Sequence, residues 1–241
     1  MIEFKDVYKS FGDKHVLRGI NLAVNEGELV SILGPSGSGK SVTLKHIIGI
    51  LQPDRGEVWV DDQLVPKLSR DELQELRKHI GVLFQSAALF DSMSVKDNVA
   101  FMLRMHTKMS EAEISQRVAE CLEQVELGGV EELEPDELSG GMRKRVGLAR
   151  AIAMKPKYIL YDEPTTGLDP KTAIIIGDLI ARLQKTLNIT SIVVTHDVKL
   201  ACDISDRIAL FHDGKVAAVG SPDEISKDDN DMIRKFMEGQ L

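Results

Sequence analysis

The chain of 241 residues is long enough for one large domain, or for a core domain that carries a subdomain. Hydrophobic residues (43%) and charged residues (28%) indicate a folded globular protein rather than a disordered chain. The formal charge of −8 argues against a broad grip on a nucleic-acid backbone, so no nucleic-acid partner is expected. No apolar run approaches the ~18 residues of a spanning helix, and no signal-peptide pattern opens the sequence, so we expect a chain that does not cross a membrane by itself. The separated Cys121 and Cys202 indicate a reducing compartment.

The first third of the chain has the residue alternation and the turn residues of β-strands. Strands are predicted over residues 2–8, 19–24, 28–33 and 57–60. The third run is mostly apolar and ends in a glycine-rich turn, which is typical of a buried parallel strand. A helix is predicted next, over residues 41–51, with apolar side chains on one side at Leu44, Ile47, Ile48 and Leu51.

From about residue 87 to residue 153 the pattern is mostly helical. Ser94 is predicted to cap one helix, and Ser110 with Glu113 forms a capping-box pattern before another. Strand and helix patterns alternate again after Pro156, with strands predicted at residues 158–161 and 191–195 and a helix at residues 171–186. This order favours an α/β core that is interrupted by a helical subdomain.

The last residues, 222–241, are predicted to form a short helical tail. Its apolar stripe is expected to pack on the core rather than to bind a partner, and consists of Met232, Ile233, Phe236 and Met237.

Residues 34–41, GPSGSGKS, match the phosphate-loop pattern G-x-x-x-x-G-K-[ST] between a predicted strand and a predicted helix. Glycines let backbone N–H groups approach phosphate oxygens, and the start of the following helix adds positive potential. Lys40 is predicted to reach the β- and γ-phosphates of a nucleotide, and the Ser41 hydroxyl is predicted to bind Mg²⁺. The G-x-G-x-x-G dinucleotide fingerprint is not matched, which excludes a hydride-transferring enzyme of that type.

Two carboxylates, Asp162 and Glu163, follow the apolar run at residues 158–161. Carboxylates at the end of an apolar strand are costly unless an ion lies there. Beside a phosphate loop, Asp162 is predicted to support Mg²⁺ through its water shell. Glu163 is predicted to accept a proton from the attacking water, or to orient that water. The alternative is an ordinary acidic turn before a proline.

Ser139 and the two glycines after it have the pattern of a helix start, whose exposed N–H groups form a second anion site. Because the phosphate loop already holds one γ-phosphate, this second site is expected to serve a nucleotide bound by another copy of the chain. The alternative is a simple capped helix. The basic run at residues 143–145 is expected to be a solvated helix face.

In this order, the motifs resemble those of the nucleotide-binding subunit of ATP-binding cassette (ABC) transporters over essentially the whole chain. The resemblance is carried by residues 34–41, Gln85, residues 138–142, residues 158–163, residues 167–169 and His196. It implies an α/β fold: a P-loop NTPase (RecA-like) core with an N-terminal antiparallel β subdomain and an inserted α-helical subdomain. The single domain, 1–241, would have its core in residues 1–86 and 154–221, the helical signature subdomain in residues 87–153 and the tail in residues 222–241.

The resemblance also implies site residues. The catalytic residues would be Glu163, His196 and Gln85, and the metal would be bound by Ser41, Gln85 and Asp162. Phe11 would stack on adenine, His196 would contact the γ-phosphate, and Asp169 would cross a dimer interface. The full set of nucleotide contacts would be Phe11, Gly34, Pro35, Ser36, Gly37, Ser38, Gly39, Lys40, Ser41, Val42, Ser139, Gly140, Gly141 and Asp169. As alternatives, Phe11 is core, Gln85 a strand-end cap, Asp169 a turn former and His196 a structural histidine.

The residues in and around the motifs resemble those of the Mla/Mce group. The members of this group are ATPases that drive lipid movement between the membranes of double-membraned bacteria. This implies an ATP-dependent homodimer on the cytoplasmic face of the inner membrane, bound to integral-membrane permease subunits and to Mce-type lipid-binding or accessory subunits. The apolar residues 87–90 are either the permease dock or internal core. Two other classes stay open: an importer ATPase for amino acids or another small solute, and a soluble ABC ATPase of DNA repair or translation.

Overall fold

The computed structural model describes residues 1–237. In that range the strands are β1 (Ile2–Phe11), β2 (Lys14–Val24), β3 (Leu29–Leu33), β4 (Arg55–Val60), β5 (Gln63–Leu64), β6 (Ile80–Leu83), β7 (Tyr158–Asp162), β8 (Thr190–Thr195), β9 (Arg207–His212) and β10 (Lys215–Gly220). The α-helices of the same range are α1 (Lys40–Ile47), α2 (Arg70–Lys78), α3 (Val95–His106), α4 (Glu111–Gln124), α5 (Gly140–Ile152), α6 (Pro170–Leu187), α7 (Val198–Ile204), α8 (Pro222–Ser226) and α9 (Asp231–Met237).

The chain forms two compact units. Unit 1 contains residues 1–77 and the described residues from Thr190 onward, and unit 2 contains residues 78–189. None of the helices of residues 1–237 combines the length and the apolar character that crossing a membrane requires.

Unit 1 contains two sets of strands. In the first, β1 lies between β2 and β4 in an antiparallel sheet that β5 extends. In the second, β3 lies between β8 and β9 and is parallel to both, and β10 is antiparallel to β9. All five residues of β3 are buried, as the apolar run predicted. The mixture of strands and helices confirms the predicted α/β class.

The tail helix α9 packs in unit 1. Ile233 and Phe236 are almost fully buried in a cluster with Leu33, Leu210 and Ile225, and Met232 and Met237 cover the same cluster. The predicted packing of the apolar stripe on the core is therefore confirmed for these residues. The last part of the predicted tail, residues 238–241, lies outside the described residues.

The first helix ends earlier than predicted. The prediction carried it to Leu51, but α1 ends at Ile47. Gly49 adopts a left-handed conformation (φ 63°), and the N–H groups of Ile50 and Leu51 both bond to the carbonyl oxygen of Lys45. This turn breaks the helical hydrogen-bond pattern, so the apolar periodicity alone overestimated the length of the helix.

Unit 2 contains the parallel pair β6 and β7, with Leu83 opposite Tyr161, and the helices α3 to α6. The predicted caps of two helices are confirmed. The Ser94 hydroxyl accepts a hydrogen bond from the Asp97 N–H (3.2 Å), and Ser110 forms the capping box with Glu113. The segment predicted to be mostly helical contains α3, α4 and α5.

Candidate functional site

The phosphate loop of unit 1 leaves the sheet at the carboxyl end of β3 and leads into α1. Lys40, the first residue of α1, is 6% exposed, and its Nζ donates to the carbonyl oxygens of Gly34 (2.7 Å) and Pro35 (3.1 Å). The loop therefore curls around its own lysine. This places a cation at the start of a helix, where the N–H groups already favour an anion.

Glycine is required at both ends of this loop. A Cβ atom on Gly34 would lie 2.5 Å from the carbonyl oxygen of Phe211. Gly39, the N-cap of α1, has a φ of 100°, and a Cβ there would lie 2.5 Å from Cδ2 of Leu17. Gly34 has no room for a side chain because the blocking atom belongs to the backbone, and Gly39 is crowded and has a backbone conformation that L-residues avoid.

Two further observations suit a bound phosphate. The first turn of α1 contains no acidic residue, so nothing there opposes an anion. The Ser38 hydroxyl is buried and has no hydrogen-bond partner among the described residues, which is costly unless a ligand supplies one. Ser36 and Gly37 are exposed at the tip of the loop, and Ser41 and Val42 are half-buried in α1.

His196 lies at the same edge of the sheet as the loop. It follows Thr195, which pairs with Leu33 in the parallel pair of β8 and β3, and it is exposed. Phe11 ends β1 and is 47% exposed, so the alternative that it is core is wrong. The Lys9 ammonium lies 5.7 Å from the centre of the Phe11 ring.

In unit 2, Gln85 and Glu163 follow the carboxyl ends of the neighbouring strands β6 and β7. Gln85 is exposed, and Asp162 and Glu163 are half-buried. Glu163 has a left-handed backbone (φ 51°), which a non-glycine residue adopts only at some cost. Thr166 donates its hydroxyl to Oε2 of Glu163 (3.1 Å) and so helps to fix the carboxylate.

Lys144 of α5 contradicts the expectation that the basic run is a solvated face. It is 4% exposed, and its Nζ donates to the carbonyl oxygens of Gln85 (2.5 Å) and Glu163 (3.2 Å). Burial lowers the pKa of the Lys144 amine to about 8, although the carboxylates of Glu163 and Asp162 oppose this decrease. Lys144 is not among the site residues that the sequence motifs predicted. The signal was present, because Lys144 has the helical spacing of Leu148 and Ala151, two buried residues of α5.

The second predicted anion site is the N-terminus of α5. The Ser139 hydroxyl caps the helix by accepting from the Met142 N–H (3.3 Å), and no acidic residue lies in the first turn. Gly140 and Gly141 form that turn and are half-buried. A Cβ on Gly141 would lie 2.6 Å from Cγ2 of Thr172, so the start of α5 lies against the start of α6.

Asp169 is the N-cap of α6. Its Oδ1 accepts from the N–H groups of Lys171 and Thr172 (3.1 Å each), and its Oδ2 accepts from the Thr172 hydroxyl (2.5 Å). The bonds from Thr172 lower the pKa of the Asp169 carboxyl, which therefore stays ionised at neutral pH. The exposed Asp169 and the glycines of α5 thus share one surface of unit 2.

The predicted site residues therefore fall into two groups. Unit 1 contains Phe11, the phosphate loop and His196, and unit 2 contains Gln85, Asp162, Glu163, Asp169 and the start of α5. The donors predicted for the metal are a hydroxyl (Ser41), an amide oxygen (Gln85) and a carboxylate (Asp162). These hard oxygen donors suit Mg²⁺, which keeps several waters and few protein ligands.

Comparisons with known proteins relate the whole chain to other sequences and structures. A family model described as "ABC transporter" matches residues 17–166. The intermembrane phospholipid transport system ATP-binding protein MlaF of Haemophilus influenzae is 45% identical and covers 100% of this chain and 91% of its own. A probable ribonucleotide transport ATP-binding protein of Mycobacterium leprae is 42% identical over 99% of this chain and 69% of its own. A dimeric structure of an ATP-binding cassette in a post-hydrolysis state, bound to ADP and Pi, superposes with a TM-score of 0.84 at 38% identity, covering 92% of this chain and 99% of that one.

Proposed function

Because this chain belongs to the ABC transporter family, we propose that it is the ATP-hydrolysing subunit of a transporter that moves phospholipid or a related lipid. The observation that carries the ATPase part is the phosphate loop, which curls around the buried Lys40 and leaves the Ser38 hydroxyl without a partner among the described residues.

Binding of ATP is the first task of the proposed site. The N–H groups of the loop and the Lys40 amine take the β- and γ-phosphates, and adenine stacks on the exposed Phe11 ring. Lys40 then exchanges its bonds to Gly34 and Pro35 for phosphate oxygens. Mg²⁺, held by Ser41, Gln85 and Asp162, would neutralise charge that develops on the phosphates.

Hydrolysis is the second task. Glu163 accepts a proton from the attacking water, whose oxygen forms a bond to the γ-phosphorus while the bond to the ADP oxygen breaks. His196 donates to a γ-phosphate oxygen. The bond from Thr166 and the restricted backbone of Glu163 support this role, because a base must be held in place to act on one water.

We further propose two composite sites in a homodimer. Each site pairs the phosphate loop of one copy with residues 139–141 of the other, and Asp169 lies at the interface. The N-terminus of α5 supports this, since its first turn contains no acidic residue and its N–H groups can bind an anion. The related cassette that is dimeric and bound to ADP and Pi supports it as well.

The proposals for the cargo and the partners are based on similarity to other proteins. The MlaF relative is named for an intermembrane phospholipid transport system, which supports a lipid cargo. The proposed permease partner, the Mce-type subunits and the position on the cytoplasmic face of the inner membrane rest on the resemblance of the motifs to the Mla/Mce group. Transport of a small solute is the second candidate, because another relative is named for ribonucleotide transport.

The test is purification of the chain with its permease in detergent micelles, with ATP turnover measured as candidate cargoes are added. We expect phospholipid to raise turnover severalfold and ribonucleotides or amino acids to leave it unchanged. The permease prepared without this chain gives the blank for contaminating ATPases. Stimulation by a small polar solute alone would contradict the lipid cargo, and a turnover equal to that blank would contradict the ATPase function.

A further inference from the structure

Lys144 joins three parts of unit 2. It lies on the helix that starts at the signature residues 139–141, and its amine donates to the carbonyl oxygens of Gln85 and Glu163. Those two residues are 59 and 19 positions away in the sequence. One side chain thus connects the helix that starts at residue 140, the glutamine proposed to bind the metal and the proposed base.

Burial of an amine at this place is costly. Lys144 is 4% exposed, and a buried cation destabilises a fold unless hydrogen bonds and opposite charges compensate it. Two carbonyl oxygens and the nearby carboxylates of Asp162 and Glu163 supply that compensation. An apolar side chain of the same volume could pack there without this cost, so packing alone does not account for the charge.

The backbone that Lys144 holds is itself unusual. Glu163 has a φ of 51°, and Ala87 and Ala88, just after Gln85, have φ values of 62° and 46°. Such conformations in non-glycine residues persist only where neighbouring groups hold them. Arg150, also on α5, donates to the carbonyl oxygens of Ala87 (2.7 Å) and Ala88 (2.8 Å). Helix α5 therefore fixes both strained segments through basic side chains.

We propose that Lys144 is a positioning residue for ATP hydrolysis, which holds the backbone of Glu163 and Gln85 at a fixed place relative to the start of α5. Movement of α5 is then passed to the base and to the glutamine through the same amine. The proposal rests on the proposed function, because it assumes that Glu163 acts on the attacking water. Lys144 acts through these two residues, because its amine donates to their carbonyl oxygens.

The test is Lys144→Met in the full chain, which keeps the length of the side chain and removes the donor. We expect kcat for ATP to fall ~10-fold or more, because even a small displacement of the base lowers the rate of the chemical step. The KM and the affinity for ATP should change less than about threefold. Lys144→Arg, which can donate to both carbonyls, should recover a kcat within about threefold of the wild type.

The matched control is Arg145→Met. Arg145 is the next residue of α5 and also donates to a backbone carbonyl, that of Glu126 (3.1 Å), but it does not contact Gln85 or Glu163 in the described structure. It should keep the wild-type kcat. If Lys144→Met does not fold, Lys144→Gln replaces it. Its side chain is polar but too short to donate to both carbonyl oxygens, so the same loss of kcat is expected.

Three results would overturn the proposal: a wild-type kcat in the variant that lacks the amine, an equal loss of kcat in Arg145→Met, or no recovery in Lys144→Arg. Failure of the proposed function is distinguished by the wild-type chain. Absence of ATP turnover there refutes the ATPase assignment itself, whereas normal turnover in Lys144→Met refutes only the role of Lys144.

Discussion

Leu33 and Thr195 lie opposite each other in the parallel pair of β3 and β8, so the two strands reach the edge of the sheet at the same level. Neighbouring strands are ~4.8 Å apart, so Gly34 and His196, the residues that follow this pair, leave the sheet next to each other. A phosphate on the loop is thus expected to meet Lys40, at the start of the helix that follows β3, and His196, which follows β8.

Lys40→Ala should weaken ATP binding by ~10²-fold, because each hydrogen bond from a charged group contributes about 1.5–3 kcal/mol. Isothermal titration calorimetry with ATP and Mg²⁺ measures this. Lys45→Ala is the control, since Lys45 is an exposed residue of the same helix and should leave the affinity unchanged. Equal affinities of the Lys40 variant and the wild type would refute the assignment of the phosphate loop.

Glu163→Gln should reduce ATP turnover by ~10² or more, because the amide has the shape of the carboxylate but cannot take a proton. ATP should still bind and should accumulate unhydrolysed in the dimer. The measurement is steady-state phosphate release, together with the nucleotide retained on gel filtration. Glu132→Gln, at an exposed turn of unit 2, is the control. Unchanged turnover would move the base role to another group, with His196 the next candidate.

A mixture of two inactive chains tests the composite sites. Lys40→Ala damages the phosphate loop, and Ser139→Arg blocks the start of α5. In a heterodimer one site carries both lesions and the other carries none, so mixing should restore part of the turnover that each variant lacks alone. Heterodimers that form and stay inactive would contradict either the pairing or the independence of the two sites.

Phe90→Asp should abolish binding to the permease and leave the turnover of the isolated chain within about twofold. Phe90 is 42% exposed and its ring centre lies 4.8 Å from that of Phe101, so its apolar surface is available to a partner. Co-purification from membranes reports the binding. Ile50→Asp, an exposed apolar position (59%) in unit 1, should not affect it. Intact assembly with Phe90→Asp would place the dock elsewhere.

Phe236→Ala should lower the free energy of unfolding by ~3–5 kcal/mol, the usual range for removal of a buried phenyl ring. Phe236 is 5% exposed within the cluster that contains Leu33 and Leu210. Urea denaturation followed by circular dichroism measures the change. Met105→Ala, at a site that is 62% exposed, should change it by less than about 0.5 kcal/mol. Equal midpoints for both variants would mean that α9 contributes nothing to the stability of the core.

Local signals in the sequence predicted most of the elements. The caps at Ser94, Ser110 and Ser139 involve residues only three positions away, so they can be predicted from the sequence alone. The same holds for the buried strand β3, where every residue is apolar or small. The α/β class and the order of the motifs followed from these signals.

The contacts of Lys144 could not be predicted from the sequence. Its partners lie 59 and 19 residues away, and only the folded chain brings those carbonyl oxygens to one amine. The surroundings of Phe90 are a similar case, because residues 87–90 read equally well as dock or as core. In the structure Ala87 is buried and Phe90 is exposed, so the segment divides between the two interpretations.

The crowding at Gly34 and Gly39 helps to explain why the phosphate-loop pattern requires glycine at these two positions. The pattern fixes glycine at these two positions and leaves the position of Gly37 open. A Cβ on Gly37 would meet only Nζ of Lys14, at 3.9 Å, so that position has space, although its φ of 82° still disfavours most side chains. Gly34 is required because a backbone oxygen occupies the space of a Cβ atom, and Gly39 because its φ of 100° acts together with the close contact to Leu17. At Gly37 only the positive φ remains, and asparagine or aspartate can also adopt a left-handed backbone. A positive φ alone therefore does not make glycine obligatory in this loop.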